Sequence, residues 1–377
     1  MRIPQMRVLG IVGTAIAALA LAACSSDAPA ATPASSADGG AFDLAVLTDA
    51  AKAEGSLTLY GDASDANLSA WTKAFTDKYG IQVFVVRNTP GPLYQQFAQE
   101  QSAGQGQADI ISIVDFTALD QAVDQGWLAE YTPQAADQYP AELGRAGYYY
   151  PVENGNAQSI AYNPDKLSDD EIALIQDKGM EALEDPRFAD RIGVVNPQIS
   201  SGVQAFWYTY TDGVGSDLGW DGLQKIADNT SRISDTLTLG QNLIQGEIDI
   251  AVPIVDSWAS AQIVNNGAPL EFAYPKPTIG QNDGVAVVAD SPHPNAARLF
   301  MEWASTAETN AMYSKLSQSA PTNTEAADSR ELAGLPWYAP AGDDTWFDFA
   351  KDQDFLDAMT ADGPYFPKWN ETFGYAG

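Results

Sequence analysis

The sequence predicts an α/β protein built from two halves, and three observations indicate this. Short apolar segments of strand type alternate with amphipathic segments of helical period, an order typical of parallel sheets covered by helices. The alternation occurs twice, and a stretch rich in Tyr, Pro, Gly and Asn, residues 148–163, separates the two series. The chain of 377 residues is also long enough for two domains of about 150 residues each.

The first series begins with a helix over residues 43–54, which ends at Gly55, a residue type common at helix C-termini. Leu68, Trp71 and Phe75 recur at helical spacing, and Gly80 follows, which indicates a helix over 65–79. The further helices are predicted at 92–103 and 118–125, and the strands at 57–60, 82–87 and 108–114.

In the second series, predicted strands and helices alternate as they do in the first. Strands are predicted at 192–195, 248–255 and 270–274, and helices at 203–211, 221–228, 237–245 and 257–265. After these come one more strand, at 285–289, and two helices, at 295–305 and 307–316. The segment 321–377 is rich in Pro, Asp and aromatic residues, and its pattern assigns it to neither half.

The N-terminus has the features of a bacterial lipoprotein leader. Arg2 and Arg7 precede an apolar run over residues 8–23, which is typical of a signal peptide. Cys24 follows directly, and Leu-Ala-Ala-Cys resembles the lipobox, whose cysteine is acylated before cleavage. We therefore predict a signal peptide over 1–23, a lipid anchor on Cys24 and a flexible tether over 24–41. The mature protein is expected to be extracytoplasmic and to contact the membrane only through this anchor.

Composition excludes several function classes. The chain has 19 Lys and Arg against 50 Asp and Glu, a formal charge of −31 that repels nucleic acid. One Cys and one His, His293, do not suffice for a disulfide framework or a Cys/His zinc site. The carboxylate pairs Asp109 with Asp115 and Asp343 with Asp344 leave an extracellular hydrolase as a remote alternative, as does a triad built on His293. We expect no enzyme, no cofactor and no metal.

Several stretches in the same order resemble extracellular solute-binding proteins of the ferric-iron-binding type, over about residues 50–325. They are residues 51–60 (AKAEGSLTLY), 78–81 (KYGI), 107–110 (QADI), 160–163 (IAYN), 185–188 (DPRF), 196–202 (NPQISSG), 246–250 (GEIDI), 266–269 (NGAP) and 295–300 (NAARLF). The resemblance implies a two-lobed α/β fold of the type II periplasmic-binding-protein kind, with a ligand cleft between the lobes.

The same resemblance implies a boundary for each lobe and a set of partners. The first lobe would comprise 42–150 and 275–320, the second lobe 164–274, and the hinge crossover 151–163. The partners would be a small-molecule solute, an ABC permease and its ATPase, with the protein acting as a monomer.

Candidate ligand-binding residues are those that directly follow predicted strands, because ligands of open α/β sheets bind at the carboxyl ends of strands. They are Asp62, Ser64, Asn88, Thr89, Asp115, Ser200, Ser201, Gly202, Asp235, Thr236, Asp256 and Trp258. For each polar residue in this set, helix capping is the alternative explanation, and for Trp258 it is core packing.

The predicted ligand is a small polar organic anion. Iron-binding members of this family carry two adjacent tyrosines where this chain has Val255–Trp258, and their absence here counts against ferric iron. The run Tyr148–Tyr150 lies in the crossover and is interpreted as hinge packing. The helix opening at Ser201 would hold an anionic group, whereas carboxylates such as Asp62 suit sugar hydroxyls. A sugar phosphate, phosphonate or carboxylate satisfies both, and ferric iron remains the alternative.

Overall fold

The computed structural model describes residues 42–212, 216–339, 352–360 and 363–376. The predicted signal peptide, Cys24 and the tether lie outside these residues, as do Asp343 and Asp344. Within the described ranges, no helix combines the length and the apolar character that crossing a membrane requires.

The first series folds as predicted, with shifts of a few residues at the element ends. Asp43 caps the first helix by accepting from the backbone N–H of Ala45 at 2.8 Å, and Gly55 ends it in the left-handed conformation at φ 76°. The elements are α1 (Leu44–Glu54), β1 (Ser56–Gly61), α2 (Asp65–Tyr79), β2 (Gln82–Arg87), α3 (Pro90–Ser102), β3 (Ile110–Ile113) and α4 (Phe116–Asp124).

The remaining elements begin with a long strand and a helix that the sequence analysis missed, β4 (Tyr149–Tyr162) and α5 (Asp169–Lys178). It also missed the strand over 230–234 and the two helices over 353–358 and 365–372. The others are β5 (Ile192–Val195), α6 (Ser201–Asp212), α7 (Gly219–Asp228), β6 (Thr230–Ser234), α8 (Thr236–Gln245), β7 (Ile250–Val255), α9 (Asp256–Asn266), β8 (Glu271–Ala273), β9 (Gly280–Val287), α10 (Pro294–Ala304), α11 (Ala307–Ser317), α12 (Gln353–Ala358) and α13 (Tyr365–Thr372).

The strands follow the order β2-β1-β3-β9-β4-β7-β5-β6, and β8 also pairs with β4. We call β2, β1 and β3 with their helices the first half, and β7, β5, β6 and β8 with theirs the second half. Within each half the strands β1 to β3 and β5 to β7 are parallel, as predicted. The expectation of wholly parallel sheets is wrong, because β4, β8 and β9 run antiparallel to their neighbours.

The two halves are joined by the antiparallel pairing of β4 with β9, which we call the crossover ladder. It extends from Tyr149 opposite Ala286 to Ala157 opposite Gly280, with two register shifts between them. The beginning of β4 therefore belongs to the first half, and its end pairs with β7 and β8 in the second half. The stretch that its composition marked as a loop is thus a continuous strand.

Each half has its own hydrophobic core. In the first half, α10 and α11 return to pack on α1 and α2, where Trp71 contacts Phe300 with ring centroids 5.0 Å apart. In the second half, Trp207 lies at the centre of the core, and the tail residues Trp369 and Phe355 belong to the same cluster. Of the C-terminal segment, which the sequence pattern assigned to neither half, Thr324 bonds Gln138 near the first half, whereas the described residues from Leu332 onward contribute to the core of the second half.

Candidate functional site

The carboxyl ends of the three first-half parallel strands meet at one edge. Asp62, after β1, accepts a hydrogen bond at its Oδ2 from the backbone N–H of Val114, after β3, at 3.0 Å. Arg87, the last residue of β2, donates from Nε to the carbonyl oxygen of Ala63 at 3.1 Å. Asp115 follows Val114 directly and lies at the start of α4. The predicted residues Asp62 and Asp115 therefore lie at the same edge of the sheet.

Asp62 also forms a hydrogen bond with a second carboxyl group, that of Asp283 on β9. Burial raises the pKa of Asp62, although the hydrogen bonds from Val114 and Asp283 oppose that rise. A hydrogen bond between two carboxyl groups needs one proton, so the pair carries less negative charge than two separate carboxylates. Asp283 was not predicted, because the polar run that begins β9 lay outside the strand expected from the apolar pattern.

The helix N-termini at these strand ends fall into two classes. In the first class a carboxylate of the chain caps the helix. Asp115 accepts from Ala118 N at 2.9 Å in α4, and Asp235 accepts from Thr238 N at 2.9 Å in α8. Hydrogen bonds from the hydroxyl and the N–H of Thr238 lower the pKa of Asp235, so this N-terminus already holds an anion. The predicted anion-binding role of Thr236, the first residue of α8, loses support for that reason.

In the second class the residues are neutral. Thr89, before α3, makes no side-chain hydrogen bond to its helix, and Asn88 accepts from Thr89 N at 2.9 Å; both side chains are exposed. At α6, Ser200 accepts from Val203 N at 3.4 Å, the exposed Ser201 is the first helical residue, and Gly202 is buried. These two helices lie in different halves of the molecule.

The neutral Ser64 caps α2, accepting from the backbone N–H of Asn67 at 3.2 Å, and remains exposed. Its hydroxyl oxygen serves the helix-capping role that was the alternative explanation for the predicted polar residues.

Two predicted ligand residues, Asp256 and Trp258, contact other parts of the chain. Asp256 is fully buried and accepts from Ala157 N at 2.9 Å and Ser257 N at 2.7 Å. Its other oxygen accepts from the hydroxyl of Tyr274 at 2.8 Å, and burial raises the pKa of Asp256. Trp258 packs on α8 so closely that a Cβ at Gly240 would lie 2.3 Å from its ring. Asp256 has no exposed surface, whereas Trp258 is half-buried, and a contact of either side chain with a solute stays a prediction.

The tyrosines of the crossover pack as expected. Tyr149 is buried and donates to the Oδ1 of Asp120 at 3.0 Å. Tyr150 is buried in the first-half core, and Tyr148 is half-buried beside Arg145, whose guanidinium lies 5.5 Å from the ring centroid.

A buried arginine that the sequence analysis missed holds the C-terminal segment in place. The side chain of Arg330 is inaccessible to solvent and donates from Nε and Nη2 to the Asp328 carboxylate at 2.9 and 2.8 Å. Its Nη1 donates to the carbonyl oxygen of Gln318 at 3.0 Å, and Nη2 also contacts the hydroxyl of Tyr338. Only the packed structure identifies this cation, because its partners lie in a segment without a periodic pattern.

Of the described residues of the hydrolase alternative, Asp115 lies at this edge, whereas Asp109 and His293 lie away from it. Asp109 and Asp115 flank opposite ends of β3, so they do not form a carboxylate pair. Asp109 Oδ2 lies 3.0 Å from His293 Nδ1, and His293 Nε2 lies 3.4 Å from Ser56 Oγ. The same carboxylate also accepts from Thr58 N at 2.6 Å, which fixes the start of β1 to this loop. Across the described part of the chain, no three His, Cys, Asp or Glu side chains are grouped to hold a metal ion.

Comparisons with known proteins relate this chain to a family and to several solved structures. The family model for a bacterial extracellular solute-binding protein matches residues 70–340. A relative from Haemophilus influenzae, described as an uncharacterized protein, is 26% identical over 293 residues, which cover 75% of this chain and 83% of the relative.

Two of the similar structures differ in the bound molecule. Iron-bound HitA from Pseudomonas aeruginosa aligns with a TM-score of 0.57 at 23% identity, over 71% of this chain and 86% of HitA. The periplasmic binding protein AfuA from Actinobacillus pleuropneumoniae, with fructose-6-phosphate bound, aligns with a TM-score of 0.55 at 22% identity, over 85% of this chain and 99% of AfuA. These alignments confirm the predicted two-lobed α/β fold of the type II periplasmic-binding-protein kind.

Proposed function

Because this chain belongs to the family of bacterial extracellular solute-binding proteins, we propose that it captures a small polar organic anion and delivers it to a membrane permease. The coarser role follows from the family: the chain is a substrate-binding protein of an ABC importer, it acts outside the cytoplasm, and its family is not enzymatic. We further propose that it acts as a monomer and that the solute is a sugar phosphate, phosphonate or carboxylate.

One observation carries the choice of an anion. Of the helices that follow parallel strands, α3 and α6 have no acidic residue at the cap or in the first turn, whereas Asp115 and Asp235 cap α4 and α8. The first turns of α2 and α9 contain Asp65 and Asp256. A helix N-terminus has unpaired N–H groups and a partial positive charge, which favour a bound anion. Pro90 and Pro92 have no N–H group, so the first turn of α3 would offer the N–H of Gly91. Since α3 belongs to the first half and α6 to the second, closing the two halves would bring both N-termini onto one ligand.

The carboxyl groups at the same edge are compatible with this ligand. Burial raises the pKa of Asp62, which favours its neutral form and so reduces the repulsion that an anionic solute would meet. Carboxyl oxygens also accept hydrogen bonds from hydroxyl groups. AfuA, which has a similar fold, was solved with fructose-6-phosphate, a ligand that has both an anionic group and hydroxyls.

Ferric iron is the second candidate, since HitA has a similar fold and was solved with iron. The residues near Asp256 argue against it. Iron favours phenolate oxygen, but residues 255–258 include no tyrosine, and the hydroxyl of the nearby Tyr274 already donates to the buried Asp256 at 2.8 Å. A visible charge-transfer band on adding ferric citrate would favour iron nevertheless.

Replacing Ser201 with Asp tests the proposed anion site. The new carboxylate would occupy the N-terminus of α6 as Asp235 occupies that of α8, so binding of an external anion is expected to weaken about tenfold or more. Helix stability should not fall, because acidic residues in a first turn are stabilising. Dissociation constants for fructose 6-phosphate and inorganic phosphate, measured by calorimetry, check the prediction.

Ala307→Asp is the matched control. It adds the same charge to the first turn of α11, which does not follow a strand, and should leave both dissociation constants unchanged. Equal affinities of wild type and Ser201→Asp would show that α6 does not hold the anion.

We also propose that Cys24 carries the lipid anchor. Because acylation precedes cleavage, Cys24→Ser is expected to lack the acyl chains and to retain its signal peptide. The mass of the purified protein measures both changes, with Ser26→Ala as the control that is acylated and cleaved. A Cys24→Ser protein with the same lipid mass as wild type would contradict the proposal.

A further inference from the structure

A buried amide oxygen in the crossover ladder has no hydrogen-bond partner. Asn282, on β9, is 4% exposed, and its Oδ1 is inaccessible to solvent and bonded to nothing in the structure. Buried polar atoms in folded proteins nearly always have partners, because an unpaired acceptor loses its hydrogen bonds to water without replacement. Where such an oxygen also lies beside a proposed binding edge, a bound ligand can supply the missing donor.

The position of Asn282 places this oxygen beside the proposed binding edge. Gly284 pairs with Ile113, the last residue of β3, so Asn282 lies just beyond the carboxyl end of that strand. A Cβ at Gly284 would contact the ring of Phe116 at 3.1 Å, and alternate strand residues point to the same face. Asn282 thus faces the beginning of α4, where Asp115 lies, while its neighbour Asp283 bonds Asp62.

A second unpartnered amide oxygen occupies the matching place in the second half. Gln158, on β4, is 6% exposed, and its Oε1 is also buried without a partner. It pairs with Val255, the last residue of β7, and so lies at the carboxyl end of that strand. Because Asn156 lies opposite Gln281, about three residues of strand separate the two amides, or roughly 10 Å. That span fits a small solute.

We propose that Asn282 and Gln158 accept hydrogen bonds from hydroxyl groups of the solute, which makes its class a polyol or sugar phosphate. This inference rests on the proposed function and adds the neutral end of the ligand to it. The helix N-termini of α3 and α6 would bind the phosphate, while the two amide oxygens would accept hydrogen bonds from the hydroxyl groups. A simple phosphonate or carboxylate without hydroxyls would leave both oxygens unpaired, and sites of this kind reject such analogues strongly.

The test compares two phosphate esters that differ in their hydroxyl groups. Wild-type protein should bind fructose 6-phosphate at least about tenfold more tightly than methyl phosphate. Asn282→Leu, which keeps the number and the branching of the side-chain heavy atoms, should weaken fructose 6-phosphate about tenfold or more and leave methyl phosphate unchanged. The unliganded variant should not melt at a lower temperature, since the replaced oxygen makes no hydrogen bond. Gln158→Leu is the second variant and should behave alike.

Asn242→Leu is the matched control. Its Oδ1 is also buried and unpartnered, but it lies near the C-terminal end of α8, away from the strand ends, and its replacement should change neither affinity. If both leucine variants bind fructose 6-phosphate as wild type does, the inference is overturned and the anion site stands. Equal weakening of both esters would also overturn it. If wild type binds neither ester, the proposed anionic ligand fails as well.

Discussion

Arg330→Met is expected to lower the free energy of unfolding by about 3 to 5 kcal/mol, which is the typical cost of removing one partner of a buried ion pair. The Arg330 side chain is inaccessible to solvent and forms two hydrogen bonds to Asp328, so its removal leaves that carboxylate without its counter-ion. Although burial acts in the opposite direction, Arg330 lowers the pKa of Asp328 and keeps it ionised. The carbonyl oxygen of Gln318 also loses its donor.

Urea unfolding of wild type and variant at neutral pH measures this difference. Arg187→Met is the control, because Arg187 pairs with Asp185 at 3.1 Å where both side chains are substantially exposed. Such surface pairs contribute about 0 to 1 kcal/mol. Comparable losses in both variants would mean that Arg330 does not anchor the C-terminal segment on the second half.

Asp109→Ala is expected to cost about 3 kcal/mol or more, because one buried carboxylate accepts four hydrogen bonds. Its donors are the backbone N–H groups of Thr58 and His293, the His293 ring and the Ser291 hydroxyl, at 2.5 to 3.0 Å. Alanine leaves these groups without their acceptor and frees the loop before α10 from the start of β1. Thermal and urea unfolding measure the loss.

Solute affinity should not change in Asp109→Ala, because this carboxylate lies at the amino end of β3, opposite the proposed binding edge. Asp43→Ala makes the same chemical change at an exposed helix cap and should cost only about 1 kcal/mol. A loss in Asp109→Ala no larger than that control would refute the role of Asp109 as an anchor. A loss of fructose 6-phosphate binding alone would connect it to the ligand site instead.

The elements that sequence patterns predicted best are those whose signals act over short distances. The helix α2 combines Leu68, Trp71 and Phe75 on one face with Gly80 at its end, and the structure agrees with the predicted bounds. The missed helix α5 has a comparable signal, since Ser168 and Glu171 form a capping box. This capping box is a local sequence signal, and it is sufficient to predict the start of α5.

The crossover ladder could not be derived in the same way. Pro151 and Gly155 are typical of loops, yet β4 is a strand because β9, more than a hundred residues later, pairs with it along its length. The polar start of β9 was excluded from the predicted strand for a related reason: Asn282 and Asp283 are buried by neighbouring elements, not by an apolar pattern of their own.

The succession of strands and helices along the chain, the helix caps and the family relationship were accessible from residue types and spacing, because propensity and capping act within a few residues. The hydrogen-bond partners and the burial of each polar side chain were not accessible in this way. Asp62 and Asp256 both follow a strand, yet Asp62 lies at the open edge of the first half while Asp256 bonds Ala157, 99 residues away in the chain. Packing between distant segments decides which carboxyl group stays available to a solute and which one forms hydrogen bonds within the protein. The reason is that burial and hydrogen-bond partners arise only after the chain has folded.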